Sequence, residues 1–156
     1  PDGCAHRHAK DIDAAAHQLP LHLSAALQQL VAVGLGAQTL CGRALIDTGN
    51  RLHEPISGLP VMIVEQRRIE RLLPYGFCEG EAHEGFRRVA YGGMGGNGYL
   101  SAFRPDELLV NYSSGWMRAP AIWIGVYPGR MPGGVCALAP ALLGTVGAES
   151  ARKQAQ

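Results

Sequence analysis

No run of about eighteen uninterrupted apolar residues occurs in the chain, so the sequence offers no membrane-spanning helix. The start is no signal peptide either, because Asp2, His6, Arg7 and His8 occupy it without a following apolar segment, and the chain as given is expected to be soluble. Charge is scarce: charged residues make up 17% and the formal net charge is +1, which leaves no basic stripe able to neutralise a row of phosphates. Nucleic acid is therefore not an expected partner. The four cysteines, Cys4, Cys41, Cys78 and Cys136, form no C-x-x-C pair and lack the density of a secreted disulfide scaffold, so they read as reduced, mostly buried small hydrophobes. There is no internal repeat.

What is present points to turns between short strands. Glycine at 21 and proline at 10 are too many for a helical bundle, whose interiors exclude both, and 156 residues at 47% hydrophobic can build one well-packed domain rather than two. The chain begins at Pro1 rather than methionine, as expected of a piece cut from a longer protein. Residues 1–26, rich in alanine and histidine without a lasting apolar period, read as a linker or loosely ordered segment, 27–148 as the folded domain, and 149–156 as a polar tail.

Strands are expected at Leu27–Val33, Gln38–Ile46, Val61–Val64, Phe86–Tyr91, Tyr99–Phe103 and Ala121–Tyr127, with a tight turn at Gly34-Leu35-Gly36 and loops over Glu79–Glu84 and Gly129–Gly134. Gln66–Leu73 reads as a short amphipathic helix ended by Pro74, and Pro140–Val146 as a last helix. Trp116, Ile122, Trp123 and Ile124 read as core, and His53 and His83 as surface residues.

The sharpest signal is Asp47-Thr48-Gly49. It closes a strand whose preceding residues Ala44, Leu45 and Ile46 are all apolar, which pushes a carboxylate to the edge of a core. One chemistry that needs this arrangement is that of aspartic proteases, where two carboxylates about 3 Å apart share a proton and activate water against a peptide carbonyl. Thr48 could then hydrogen-bond backbone across the paired loops, and Gly49 lets an N–H approach the carboxylate where a β-carbon would interfere. The bland alternative is an ordinary β-turn, since Asp, Gly and Asn are its usual residues.

The stretch from Ala44 to Val61, with its apolar run, Asp47-Thr48-Gly49-Asn50, Leu52, the acidic-Pro pair Glu54-Pro55 and Pro60-Val61, resembles the active-site region of the sporulation sigma-E factor-processing peptidases. Asn97–Asp106 and Ala137–Leu143 are similar to further segments of that family, and the resemblance covers about Leu30 to Leu143. Glu54 stands where the family more often has aspartate, and His53 where an aromatic is common. The resemblance implies a mainly β fold, a retropepsin-like closed β-barrel forming one half of an aspartic protease, with one or two short helices. It also implies a pro-sigma factor as protein substrate. Further, it implies a membrane region upstream of this chain, which would place the full-length protein at the cytoplasmic face of the cell membrane.

Only one Asp-Thr-Gly occurs, and Asp2, Asp11, Asp13 and Asp106 have no such context. A complete dyad then requires a homodimer, with Asp47 of each chain meeting across a two-fold axis. In aspartic proteases an apolar-apolar-Gly segment near the C-terminus passes under the catalytic loop and leads into a helix. Ala137-Leu138-Ala139 before Pro140 is favoured for that place, with alanine replacing glycine, over Ile122-Trp123-Ile124-Gly125, which fits the letters better but lacks the helix. Asn50 is expected to narrow the cleft and hydrogen-bond substrate backbone.

Gly93-Met94-Gly95-Gly96-Asn97-Gly98 matches G-x-G-x-x-G, but no helix follows it, which removes a dinucleotide site. It reads instead as a hairpin tip closing over substrate, with Gly93, Met94 and Gly95 near the substrate backbone, or as an ordinary flexible hairpin. Cys4-Ala5-His6-Arg7-His8 fits no standard zinc spacing, and no metal or organic cofactor is expected. The rival from another class is a non-catalytic retropepsin-like binding or dimerisation module.

Overall fold

The computed structural model describes residues 28–77, 84–93, 96–112, 114–131 and 133–144. Among the described residues nine strands make one sheet: β1 (Gln28–Leu35), β2 (Gln38–Asp47), β3 (Val61–Glu65), β4 (Phe86–Gly93), β5 (Gly96–Phe103), β6 (Glu107–Tyr112), β7 (Gly115–Arg118), β8 (Trp123–Tyr127) and β9 (Ala137–Pro140). The order across the sheet is β4-β5-β8-β3-β9-β2-β1-β6-β7. The mainly β expectation holds. The closed barrel does not, because the hydrogen-bonded order is open, with β4 and β7 as its two edges.

The β1–β2 hairpin turns on two residues between Leu35 and Gln38. Gly36 adopts φ +60° there, the conformation that the first central position of a type II′ turn demands. Beyond β2, the chain runs through residues 48–60 and returns as β3. Strand β9, much later in sequence, slots between the two, parallel to β2 and antiparallel to β3. Strands β3, β8 and β9 are buried along their whole length, which explains why they read as short apolar runs without alternation. Helix α1 (Gln66–Ile69) continues as a 3-10 turn, Glu70–Leu72, in the place expected for the amphipathic helix, and sinks Ile69 and Leu72 into the core.

The principal core gathers Val31, Ile46, Met62, Phe103, Val110 and Ile124, among others, beneath the sheet. Phe77, Phe86 and Phe103 stack there with ring centroids 4.5 to 6.3 Å apart. The Tyr112 hydroxyl donates to the carbonyl of Leu143 and so holds the helical residues 142–144 that follow β9. At the end of β3, Glu65 is fully buried. Its carboxylate accepts from Arg67 Nε at 2.7 Å and from the backbone N–H of Met131, which ties down the loop between β8 and β9.

Several local expectations change. Strands β6 and β7 were not foreseen; in β6 the apolar Leu109 sits on the less buried face and masks the alternation that Leu108, Val110 and Tyr112 carry. Pro140 ends a strand instead of opening a helix, and the helical residues begin at 142. Trp116 lies on edge strand β7 and is 47% exposed, whereas Trp123 is buried as expected. Cys41 is exposed because it alternates outward on β2; Cys136 is buried, and burial pushes its thiol pKa up. The expectations for residues 1–26 and 149–156, and for Cys4, Cys78 and His83, lie outside the described residues.

Candidate active site

Strand β2 ends by carrying Asp47 out of the core. Ala44, Leu45 and Ile46 are buried, and Asp47 is the first partly exposed residue after them. In the parallel register Ile46 faces Ala139 and Asp47 faces Pro140, so the segment Ala137-Leu138-Ala139 does run beside the strand that delivers the aspartate. The chain then turns: the Asn50 N–H donates to the Asp47 carbonyl at 3.0 Å, and the Gly49 N–H donates to Asp47 Oδ1 at 2.9 Å.

A β-carbon on Gly49 would lie 3.2 Å from that carboxylate oxygen. Gly49 is not among the residues with positive φ, so glycine is needed here for close approach and not for backbone conformation. Thr48 and Gly49 are exposed at the tip of the turn. The bland and the sharp readings of the tetrapeptide thus coincide in one object, a β-turn that also orients a carboxylate.

Asn50 fastens this turn. Its Nδ2 donates to the Val61 carbonyl at 3.0 Å and to the Leu138 carbonyl at 3.3 Å, while its Oδ1 accepts from the Leu52 N–H at 3.2 Å. Both amide protons are directed at the strands flanking the turn, β3 and β9. The side chain expected to reach a substrate is engaged within the chain itself.

Beyond Asn50, residues 52–61 fold into a small hairpin of their own, with Val61 N–H on the Leu52 carbonyl at 3.0 Å and Glu54 N–H on the Leu59 carbonyl at 2.8 Å. Glu54 is 1% exposed. Its carboxylate accepts from Ser57 Oγ at 2.6 Å, from the Ser57 N–H at 2.7 Å and from the Ile56 N–H at 3.1 Å. The Ser57 hydroxyl is the main reason that its pKa lies below the ordinary glutamate value; burial acts the other way, and the two backbone N–H groups and Arg87 add to the lowering. The burial of Glu54 was not legible, since nothing in the local pattern marks this carboxylate for the interior.

The glycine-rich hairpin is present as β4–β5, paired as far as Gly93 opposite Gly96. Met94 and Gly95 lie outside the described residues. Tyr91 faces Gly98 across the hairpin, and a β-carbon on Gly98 would come within 2.9 Å of the Tyr91 ring. Tyr91 packs on the cluster that contains Leu45 and Leu138, with Leu52 beside it, so hairpin and Asp47 turn rest on one apolar floor.

Asp106 is remote from this place. Its carboxylate accepts from the Gly36 N–H at 2.6 Å, at the opposite end of β2. A strand of ten residues separates the two ends, roughly 30 Å. Among the described residues no group of three or more His, Cys, Asp or Glu side chains could hold a metal ion. His53 is exposed, its Nδ1 2.7 Å from the Arg51 carbonyl.

The structure is thus a mainly β domain that lifts one aspartate from a buried strand into a tight turn, on an apolar floor shared with the β4–β5 hairpin. Residues 22–133 match the family of sporulation factor SpoIIGA, a peptidase family, and the chain belongs to it. The sporulation sigma-E factor-processing peptidases of Priestia megaterium and Bacillus subtilis are each 30% identical, over 112 and 116 residues. These alignments take in 62% of this chain but only 36% and 37% of the relatives, so the chain spans little more than a third of their length. No helix among the described residues is long and apolar enough to cross a membrane.

Proposed function

We propose that this chain is the protease domain of a sigma-E factor-processing aspartic endopeptidase, active as a homodimer in which two Asp47 carboxylates share one proton. The observation that carries the reading is the orientation of Asp47: a carboxylate at the open end of β2, fixed by the Gly49 N–H and framed by a turn that Asn50 locks to two strands. Membership of the SpoIIGA family and the names of the two relatives support the protein substrate, a pro-sigma factor whose N-terminal segment is removed. The exposed Thr48 leaves its hydroxyl open to the matching loop of a second chain. In this reading the fold is one half of a retropepsin-like enzyme, and β4–β5, with Gly93, Met94 and Gly95 at its tip, closes over substrate.

The chemistry needs no covalent intermediate. One Asp47, ionised, takes a proton from water as the water oxygen bonds to the scissile carbonyl carbon; the other, protonated, gives its proton to the carbonyl oxygen. The tetrahedral species then collapses, the C–N bond breaks, and a proton passes to the departing amine. Attachment to a membrane, through a region outside this chain, belongs to the same proposal. Incubating a pro-sigma-E polypeptide with wild type and with Asp47→Asn tests the mechanism. Cleavage by the first alone is the expected result. Persistence in the variant sinks the aspartic mechanism, and absence in both favours a non-catalytic binding or dimerisation module.

A further inference from the structure

We propose that Ser57 is a positioning residue, which joins the Glu54 carboxylate to the Trp123 indole and thereby fixes the loop after Asp47 against the base of the glycine-tipped hairpin. This rests on the aspartic reading above and deepens it.

Residues 52–61 are short for a self-supporting hairpin. Leu52 and Leu59 at its base pack on the cluster of Val61, Val89, Ala102 and Trp123, but the tip holds no apolar anchor, and Ile56 there is 79% exposed. Polar contacts hold the tip instead. The Ser57 hydroxyl has one proton and two lone pairs, and all three are engaged: it donates to Glu54 Oε2 at 2.6 Å and accepts from Trp123 Nε1 at 3.0 Å and from the Leu59 N–H at 3.3 Å.

Trp123 in turn opens β8. Its backbone N–H donates to the Pro60 carbonyl at 2.9 Å, and it faces Val61 in the parallel register. Over its ring lie the guanidinium groups of Arg87, on β4, and Arg104, just after β5, at 5.9 and 5.7 Å from the centroid. A continuous chain of contacts therefore runs from the two feet of the β4–β5 hairpin, through Trp123 and Ser57, to Glu54 and the loop that leaves Asp47. A hairpin that closes on substrate is useful only if it stands in fixed relation to the catalytic carboxylate, since displacements of about 1 Å can cost about a hundredfold in rate.

The test is Ser57→Ala, assayed on a pro-sigma-E polypeptide. The expected result is a fall of about tenfold in kcat with KM changed by less than about twofold, and recovery in Ser57→Thr, which keeps the hydroxyl. Trp123→Phe removes the same hydrogen bond from its other end while leaving a ring under the arginines. It should lose as much, and the double variant should be no worse than either single one. Unchanged kcat in both, or losses that simply multiply, would overturn the proposal. A readout independent of activity is solvent exchange of the Trp123 indole proton in a Trp116→Phe background, slow in the parent and faster with Ser57→Ala; equal rates would also overturn it. Cleavage persisting in Asp47→Asn would refute the aspartic reading and the catalytic half of this inference, while indole exchange would still decide the contact itself.

Discussion

The side-chain amide of Asn50 lies 3.3 Å from the carbonyl oxygen of Leu138, a residue 88 positions further along the chain. Through that bond and its partner to Val61, one residue of the Asp47 turn grips the two strands that flank it. The turn is thus held by tertiary structure that forms only when β9 has entered between β2 and β3.

Replacing Asn50 should therefore cost stability and activity together. Asn50→Ala removes the hydrogen bonds to the Val61 and Leu138 carbonyls and the acceptor of the Leu52 N–H, and a loss of about 1–3 kcal/mol is expected from urea denaturation, with weaker cleavage and an unchanged dimer. Asn50→Asp should be worse than alanine, because it turns an acceptor toward two carbonyl oxygens.

Gly49→Ala separates activity from stability. Gly49 is exposed and its φ is not positive, so alanine fits the backbone and the folding midpoint should move by less than about 0.5 kcal/mol. The added methyl would crowd Asp47 Oδ1 at 3.2 Å, and a fall in cleavage of about tenfold or more is expected. Full activity in this variant would show that the Asp47 carboxylate is not required in its present orientation.

How far this site could be read from the amino-acid order depends on where the causes lie. The alternation of β2 and the apolar triplet before Asp47 are local, and they placed the aspartate at a strand end. The short apolar runs of β3 and β8 were legible because strands buried on both faces need no alternation. The inward donors of Asn50 and the Trp123 contact to Ser57 were not legible: each partner lies tens of residues away, and nothing in the local pattern records it. Likewise the open sheet follows from which strands pair at its edges, a property of the assembled order and not of any one segment.

Acid should loosen the 52–61 hairpin only at lower pH than a glutamate of ordinary pKa would let go. The folded-state pKa of Glu54 is lowered, first by the Ser57 hydroxyl, so ionised Glu54 contributes stability that is present above the unfolded glutamate value and is lost as pH falls through the folded one. Glu54→Gln should lower the denaturation midpoint at neutral pH and flatten its decline toward low pH. An acid limb identical to wild type would show that Glu54 does not report on the hairpin.

Half an active site per chain has an arithmetic signature. If two Asp47 carboxylates form the dyad, mixing wild type with Asp47→Asn at equal amounts, after subunit exchange, leaves about one quarter of the dimers with both aspartates. Activity at fixed wild-type concentration should then drop to about half, because half of the wild-type chains sit in mixed dimers, and tenfold excess variant should abolish nearly all of it. Dilution should act in the same direction, with specific activity falling as dimers dissociate. Strict proportionality to the amount of wild-type chain at every mixing ratio would mean that a single chain suffices, and the two-fold dyad would have to be abandoned.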